Sequence, residues 1–477
     1  MIDKHQRNLA LLVASCLFME NLDGTIVTTA APRIAADLHV SSASIGLVIT
    51  AYLITLAVLI PLSGWMVASL GSRKVFLAAI VIFTLASLLC AGSATFSELV
   101  VMRVLQGAGG AMMVPVGRLA VLARTAKADM MRMIAYIVWP ALVAPVIAPL
   151  AGGLITTYAS WRWLFLINVP LGVVALVVGT MVVPATPTGS APRLDVGGVV
   201  LTGTGLAGLV YTAHLASEPG SGWMSITIFG LTSAALIAAS IRHLLRVPSP
   251  LVDLYTLRTK SFRAFVGGGT LFGMTVGAVP FMLALVFQDV FRWTPVKSGS
   301  VVLFVFVGNI GIKPATTFLI NRFGFRTVLV TATAGVAATV AAAGVVSAAT
   351  PLAFIVVIVL LSGVARSVGF TAYTTLGFSE VTEAEMAHAN GLSATTQQLA
   401  AALGVAVATV ALRLGGPIGH LLSRHPGPAL SYTVAFVVLA LFALAAAAGA
   451  TRLGPDAGSA VRRAQGRSAA GPAPRAP

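Results

Sequence analysis

Two acids, Glu20 and Asp23, stand inside an apolar run that reaches from Asn8 to Ala31. They are three residues apart, so on a helix they share one face. Two close carboxylates in a low dielectric cannot both ionise cheaply, so one of them can hold a proton and give it up again. That is the chemistry proton coupling needs. A cation, Arg103, lies in another apolar run at a matching depth. At 1.5 Å per residue it sits about 10 Å below the end of its run, against about 12 Å for Asp23. The two can pair. Either Asp23 only neutralises Arg103, or protonation of Asp23 breaks the pair, so that proton and substrate compete for one charge balance. Glu20 could be a second proton site, an anchor for a cationic substrate, or a wetted residue of a lumen.

Lys313 and Arg366 are the other cations within apolar runs. Lys313 is near enough to the end of its run to snorkel. Arg366 is deeper and is available to a substrate anion or to helix-end carbonyls. An ionisable residue at mid-bilayer costs roughly 2.5–3.5 kcal/mol on insertion scales, which makes each a functional candidate. Asn309, Gln397 and Gln398 can line a cavity or simply hydrogen-bond between helices. Trp139 can face substrate or pack elsewhere. It precedes Pro140, Pro145 and Pro149, which bend a helix, and Gly152 and Gly153, which let another helix come close.

The elements that position these residues follow from composition. Hydrophobic residues make up 57% of the 477-residue chain and charged residues only 9%. A soluble domain carries about a quarter. The net charge is +16, but the cations are scattered between apolar runs with no basic face, which argues against nucleic acid as a partner. Cys16 and Cys90 both lie in apolar runs, so neither a disulfide framework nor a zinc site is expected. Lys4 and Arg7 before an apolar stretch look like a signal peptide, but the run is long enough to be a first span. Segments of about 20 apolar residues recur along the chain. They predict fourteen spanning helices between positions 8 and 451, followed by a disordered basic tail, 452–477. With the N-terminus in the cytoplasm, only Arg33, Arg162, Arg292, Lys297, Arg413 and Arg424 fall on the far side. The other loop cations are cytoplasmic, as the positive-inside rule requires, and so are both termini. Trp161, Trp163, Trp223 and Trp293 fall near the outer interface.

A repeat is visible. Pro61, Gly71 and Arg73 recur at the same spacing as Pro314, Gly324 and Arg326. Each copy ends a helix, turns through glycine and a basic residue, and starts another. Repeats of this kind mark transporters built from two related halves. Their helix count places two additional helices between the halves. The expected organisation is a six-helix half over 8–183, two inserted helices within 195–246, and a second six-helix half over 262–451.

The chain resembles the major facilitator superfamily, and within it the fourteen-helix drug:proton antiporters of the EmrB/QacA type. Four stretches carry the resemblance. Leu22-Asp23-Gly24-Thr25-Ile26-Val27 through Pro32 is similar to the helix-1 signature. Gly64 through Lys74, with Gly71 and Arg73, is similar to the helix 2–3 gating motif, repeated weakly around Gly324 and Arg326. Arg103 to Gly107, including Gln106, is similar to the helix-4 motif. Ala148-Pro149 to Gly153, followed by Trp161 to Gly172 with Asn168, is similar to the antiporter motif and the start of helix 6. The resemblance implies an all-α major facilitator fold, a coupling acid at Asp23, and gating at the helix 2–3 turn. Two departures bear on it. Ala68 stands where the family usually has an acid in the gating network, and Ala141, Ala144 and Ala148 replace glycines of the helix-5 motif.

The expected function is secondary active, proton-coupled efflux of drug-like or amphipathic small molecules by alternating access. The protein is expected to be a monomer in a plasma or bacterial inner membrane, with no cofactor and no metal, the proton being the coupling ion. The departures leave a uniporter or importer of a specific metabolite as an alternative. A lipid-handling scaffold is a third, from another class. An enzyme is not expected, because P-loop, HExxH and GxSxG motifs are all missing.

Overall fold

A computed structural model of the chain describes residues 4–122, 125, 130–184, 193–218, 220–382, 385–422, 428–454 and 457–458. Apolar runs this long have one stable form in hydrocarbon, the α-helix, which satisfies its own backbone. The described residues form α1 (Lys4–Asp37), α2 (Ile45–Leu59), α3 (Leu62–Leu70), α4 (Ser72–Gly92), α5 (Phe96–Leu122), α6 (Met130–Tyr158), α7 (Trp163–Leu166) and α8 (Asn168–Val182). There follow α9 (Val196–Ser217), α10 (Trp223–Leu244), α11 (Lys260–Leu285), α12 (Pro295–Gly311), α13 (Lys313–Val345), α14 (Leu352–Phe378), α15 (Met386–Leu422) and α16 (Pro428–Thr451). Most of the tail expected to be disordered lies outside the described residues.

Twelve of the helices are long and apolar enough to cross a membrane, or up to thirteen spans if α2 and α3, bent by 57° at Pro61, are one. The sequence predicts fourteen. The difference has two causes. The helix Pro295–Gly311 is too short on its own, and α13 runs through Gly324 without a loop. The repeat accounts for both. In each copy a helix breaks before a proline-led segment, α2 at Pro61 and α12 before Lys313-Pro314. In each copy that segment then ends at a glycine in the same unusual conformation. Gly71 has φ 84°, ψ 146° and Gly324 has φ 78°, ψ 160°. This region is open essentially to glycine alone, so the two turns match in backbone as well as in sequence.

The helices pack as two groups. In the first, α1 lies on α6 and α4 on α5; in the second, α13 lies on α14 and α16. The groups meet along α2 with α15, α6 with α12, and α1 with α11. The first turns of α1 and the described residue Gly458 lie toward the face that carries the glycine turns. Val13 packs against Gly117 and Phe76 just after the first turn, and Gly458 lies against Phe325 just after the second.

The hairpin α9–α10 covers the α2/α15 seam. Leu206 and Val210 of α9 join Ile54 and Val58 of α2 and Ala402 of α15 in one apolar cluster. At the face opposite the glycine turns, Glu218 accepts from Ser44, and Arg413 Nη1 donates to the Ala216 carbonyl at 2.7 Å. At the face of the glycine turns Asp195 caps α9. Burial opposes its ionisation, but His243 Nε2 at 2.6 Å and the amides of Gly198 at 2.8 Å and Leu251 at 3.1 Å outweigh this and hold the carboxyl below its usual range. Of the tryptophans placed at the outer interface, Trp163 and Trp223 are exposed. Trp161 is buried, and its indole donates to Asp37 at 2.8 Å.

The two glycine turns generate a stability prediction. Gly324→Ala forces a Cβ into the glycine-only region and should cost about 1–3 kcal/mol. Gly64→Ala falls in helical backbone with nothing within 4 Å of the added Cβ, and should change stability by no more than about 0.5 kcal/mol. Unfolding in mixed micelles measures both. Equal effects at the two positions would contradict the assignment of the turn.

Candidate functional site

Asp23 and Arg103 meet. Both side chains are fully buried, and Arg103 Nη1 pairs with Asp23 Oδ2. The other carboxylate oxygen accepts from Gln106 Nε2 and from Asn168 Nδ2, each at 2.9 Å. Gln106 also accepts from Arg103 Nη1 at 2.7 Å and contacts the Ser87 hydroxyl at 2.8 Å. The Cys90 thiol lies 3.7 Å from the Gln106 oxygen. The Tyr52 ring lies 4.2 Å from the guanidinium carbon of Arg103. Five helices thus converge on one carboxylate: α1, α2, α4, α5 and α8.

Small residues make this approach possible. Arg103 and Gln106 are one turn apart on α5, and the following glycines bring α5 against its neighbours. A Cβ at Gly107 would lie 3.0 Å from the Tyr52 carbonyl oxygen, and one at Gly109 would lie 2.6 Å from the Phe83 amide. The helix-4 motif therefore supplies both the polar groups and the room to seat them.

Glu20 does not join this cluster. Three residues of helix are about 300° of rotation, which leaves the two acids about 60° apart. Asp23 points into the first group of helices, and Glu20 lines a cavity of about 240 Å³ between the groups. Its Oε2 is buried without a hydrogen-bond partner. The same cavity is lined by Asn21, Tyr52, Arg366 and Gln398, with Pro145, Pro280 and Phe306. Tyr52 stands between the two sites, lining the cavity while packed on Arg103.

Two of the cavity polar groups have a backbone task. Proline lacks an N–H, so it frees the carbonyl four residues earlier. Pro280 frees that of Val276, and Arg366 Nη1 donates to it at 3.0 Å. Pro145 frees that of Ala141, which Asn21 Nδ2 reaches at 3.4 Å. The expectation that Arg366 would meet a carbonyl is met at a mid-helix proline rather than at a helix end.

Other expected cavity residues lie elsewhere. Trp139 is 64% exposed, in a stripe with Tyr136, Val143, Ile147 and Leu154 on the outer face of α6. That spacing marks a face turned to lipid. Asn309 and Gln397 are not among the lining residues, and Gln397 donates to Ser393 at 3.0 Å along its own helix. Lys313 Nζ reaches only the Thr371 hydroxyl, at 3.5 Å.

The motif residues sit at helix contacts. Arg73 Nη2 donates to the Thr180 carbonyl at 2.7 Å, while Lys74 and Arg326 are exposed. A Cβ at Gly152 would lie 3.0 Å from the Ile26 carbonyl oxygen, and one at Gly153 2.5 Å from that of Pro295. One at Gly299 would collide with the Pro149 carbonyl. The small residues of α6 thus bring it onto α1 within its own group and onto α12 across the seam. Tyr52, Ser87, Gln106, Asn168 and Asn21 were not among the expected site residues. All are polar side chains inside apolar runs, which was the available signal, and Gln106 and Asn168 stand within recognised motifs.

Two helical groups around a shared cavity, with repeated glycine turns, define a transporter of the major facilitator type. Residues 13–405 match the family described as the Major Facilitator Superfamily, and the chain belongs to it, a family of transporters rather than enzymes. It is 36% identical over 403 residues to the candidate multidrug resistance protein MdtD of Pectobacterium atrosepticum, covering 84% of this chain and 86% of that one. It is 35% identical over 409 residues to MdtD of Escherichia coli O6:H1, covering 85% and 86%. Among solved structures, the peptide transporter PepTSo superposes with a TM-score of 0.67 at 13% identity, covering 98% of this chain and 99% of that one. The nucleoside transporter NupG gives 0.62 at 15%, covering 94% and 98%. These two likenesses show the fold alone.

Breaking a buried pair by removing one partner costs about 3–5 kcal/mol, because the other charge is left uncompensated. Asp23→Asn and Arg103→Gln should each destabilise the protein by that order. The double variant should lose clearly less than the two losses added together. Strict additivity in a double-mutant cycle of unfolding would show that the pair is not coupled.

Proposed function

We propose that this chain is a proton-coupled exporter of drug-like, amphipathic small molecules that works by alternating access. The observation that carries the proposal is Glu20, a carboxylate facing the cavity between the two helical groups; among the described residues no cation lies within ion-pair distance of it, and Arg118 of α5 bears on it electrostatically from farther away. Glu20 can gain or lose a proton without breaking an ion pair. Asp23 cannot, since its proton would unpair Arg103 and disturb the bonds from Gln106 and Asn168. The coupling role therefore passes from Asp23 to Glu20, and the Asp23 cluster holds the frame. Substrate and proton compete at Glu20, which is the minimum requirement for exchange. The names of the MdtD relatives support the drug-like substrate class.

The proposal extends to architecture. Six spans over 8–183 and six over 262–451 form the halves, with the hairpin within 195–246 inserted between them. Joining α2 with α3, α7 with α8, and α12 with the start of α13, and dividing α13 at Gly324, gives fourteen spans. Loop charge then places both termini in the cytoplasm of a plasma or bacterial inner membrane. The protein acts as a monomer without a cofactor. The halves rock about the α6/α12 contact, where Pro145, Pro149, Gly152 and Gly153 lie. Gating falls to Gly64, Gly71, Arg73, Lys74, Gly324 and Arg326. With alanine at position 68 and open space at Gly64, the first turn gates without the acid that the family resemblance would place there.

Ethidium transport in proteoliposomes tests the proposal. An imposed pH gradient should drive uphill ethidium movement by the wild type, an uncoupler should stop it, and Glu20→Gln should reduce it to the level of empty vesicles while downhill flux persists. Wild-type transport indifferent to the gradient would reject proton coupling in favour of a uniporter. Gradient-driven transport by Glu20→Gln would reject the role of Glu20.

A further inference from the structure

The cavity carries opposite charges on its two walls. Glu20 comes from α1 in the first group and Arg366 from α14 in the second. The ion pairs among the described residues are Asp23 with Arg103, Asp37 with Arg162, and Asp195 with His243. Neither cavity charge belongs to one, although Arg118 of α5 bears on Glu20 electrostatically.

Arg366 has donors to spare. A guanidinium offers five N–H groups in a fixed fork, and Nη1 donates to the Val276 carbonyl. The ring of Phe306 lies 5.5 Å from its central carbon. Lys313, another cation, interacts with it electrostatically rather than neutralising it. A buried charge without a counter-ion is costly, and the default reading within a membrane is a functional site with a specific partner. For Arg366 that partner is a planar anion such as a carboxylate, which the guanidinium fork fits bidentately. For Glu20 it is a proton or a cationic group.

We propose that the cavity selects zwitterionic substrates: small amphipathic molecules with a carboxylate-type anion held by Arg366 and an amine-type cation held by Glu20. The substrate's ammonium then displaces the proton from Glu20, while its anion neutralises Arg366. A simple cation would leave Arg366 unpaired, and a simple anion would leave Glu20 holding its proton. Tyr52, Phe306 and the proline-bent walls take the apolar body, and Gln398 offers a neutral hydrogen bond. This inference rests on the reading of the cavity as the transport site. It is tested by equilibrium binding without a gradient, so it can fail while proton coupling stands, and the reverse.

The probes are three naphthalenes. One carries an aminomethyl group at one end and a carboxylate at the other; in each of the other two, one of those groups is replaced by methyl. Calorimetric titration of the full chain in detergent should show the zwitterion binding about tenfold more tightly than either singly charged analogue, or better. Glu20→Gln should drop the zwitterion to the affinity of the anion. Arg366→Gln should drop it to that of the cation and leave the cation unaffected. Because Arg366→Gln also leaves the Val276 carbonyl without a donor and can fail to fold, Glu20→Gln is the second, independent arm. A zwitterion that binds no better than the better single-charge analogue overturns the proposal. So does an unchanged zwitterion affinity in Glu20→Gln.

Discussion

Within a bilayer the governing constraint is that a charge removed from water must find a partner. The Asp23 carboxylate obeys it, although Arg103 Nη2 and the Asn168 amide oxygen are buried without a hydrogen-bond partner among the described residues. One carboxylate draws in a guanidinium from α5, two amides from α5 and α8, and through them a hydroxyl from α4. The glycines of α5 exist to allow that convergence, since any side chain at Gly107 or Gly109 would push the donors away. Closed on these three donors, the carboxylate ties α1 to α5 and α8. The chemistry is left to the charges that the constraint has not satisfied, Glu20 and Arg366, and they share one cavity.

Bending and adhesion come from the same residues. Each proline in the cavity wall frees a carbonyl, and a polar side chain takes it up: Asn21 for Ala141, within the first group, and Arg366 for Val276, within the second. The bend is thereby kept without an orphaned backbone group. Along α6 and α12, glycine on one helix faces a carbonyl on the other in both directions, Gly153 against Pro295 and Gly299 against Pro149. Such a seam can be tight and yet carry no side-chain interlock. The opposite seam differs, because α9 lies across α2 and α15 and is tied to both by Glu218–Ser44 and by Arg413. The two seams are therefore unequal.

The fold was largely legible in the sequence, and for physical reasons. Hydrocarbon demands helices, so long apolar runs read directly as spans. The proline–glycine–arginine repeat was visible because only glycine tolerates the turn at Gly71 and Gly324. The pairing of Asp23 with Arg103 followed from matched depth. Rotation was harder to read than depth. A three-residue spacing suggested that Glu20 and Asp23 act together, but the remaining 60° sends them to different compartments. Trp139 was left open between substrate and packing elsewhere for the same reason: which face of α6 stays exposed is set by packing against α1 and α12, which a single run of sequence does not disclose. The partners Gln106 and Asn168 lay within recognised motifs without their role being visible, since it depends on where four other helices arrive.

The central claim is that the cavity acid, and not the buried one, exchanges the proton. Infrared difference spectroscopy of the reconstituted protein across a pH titration reads this without any substrate. A protonated-carboxyl band that titrates in the wild type, disappears in Glu20→Gln and persists in Asp23→Asn is the result the account predicts. A titrating band that survives in Glu20→Gln and is lost in Asp23→Asn would contradict it.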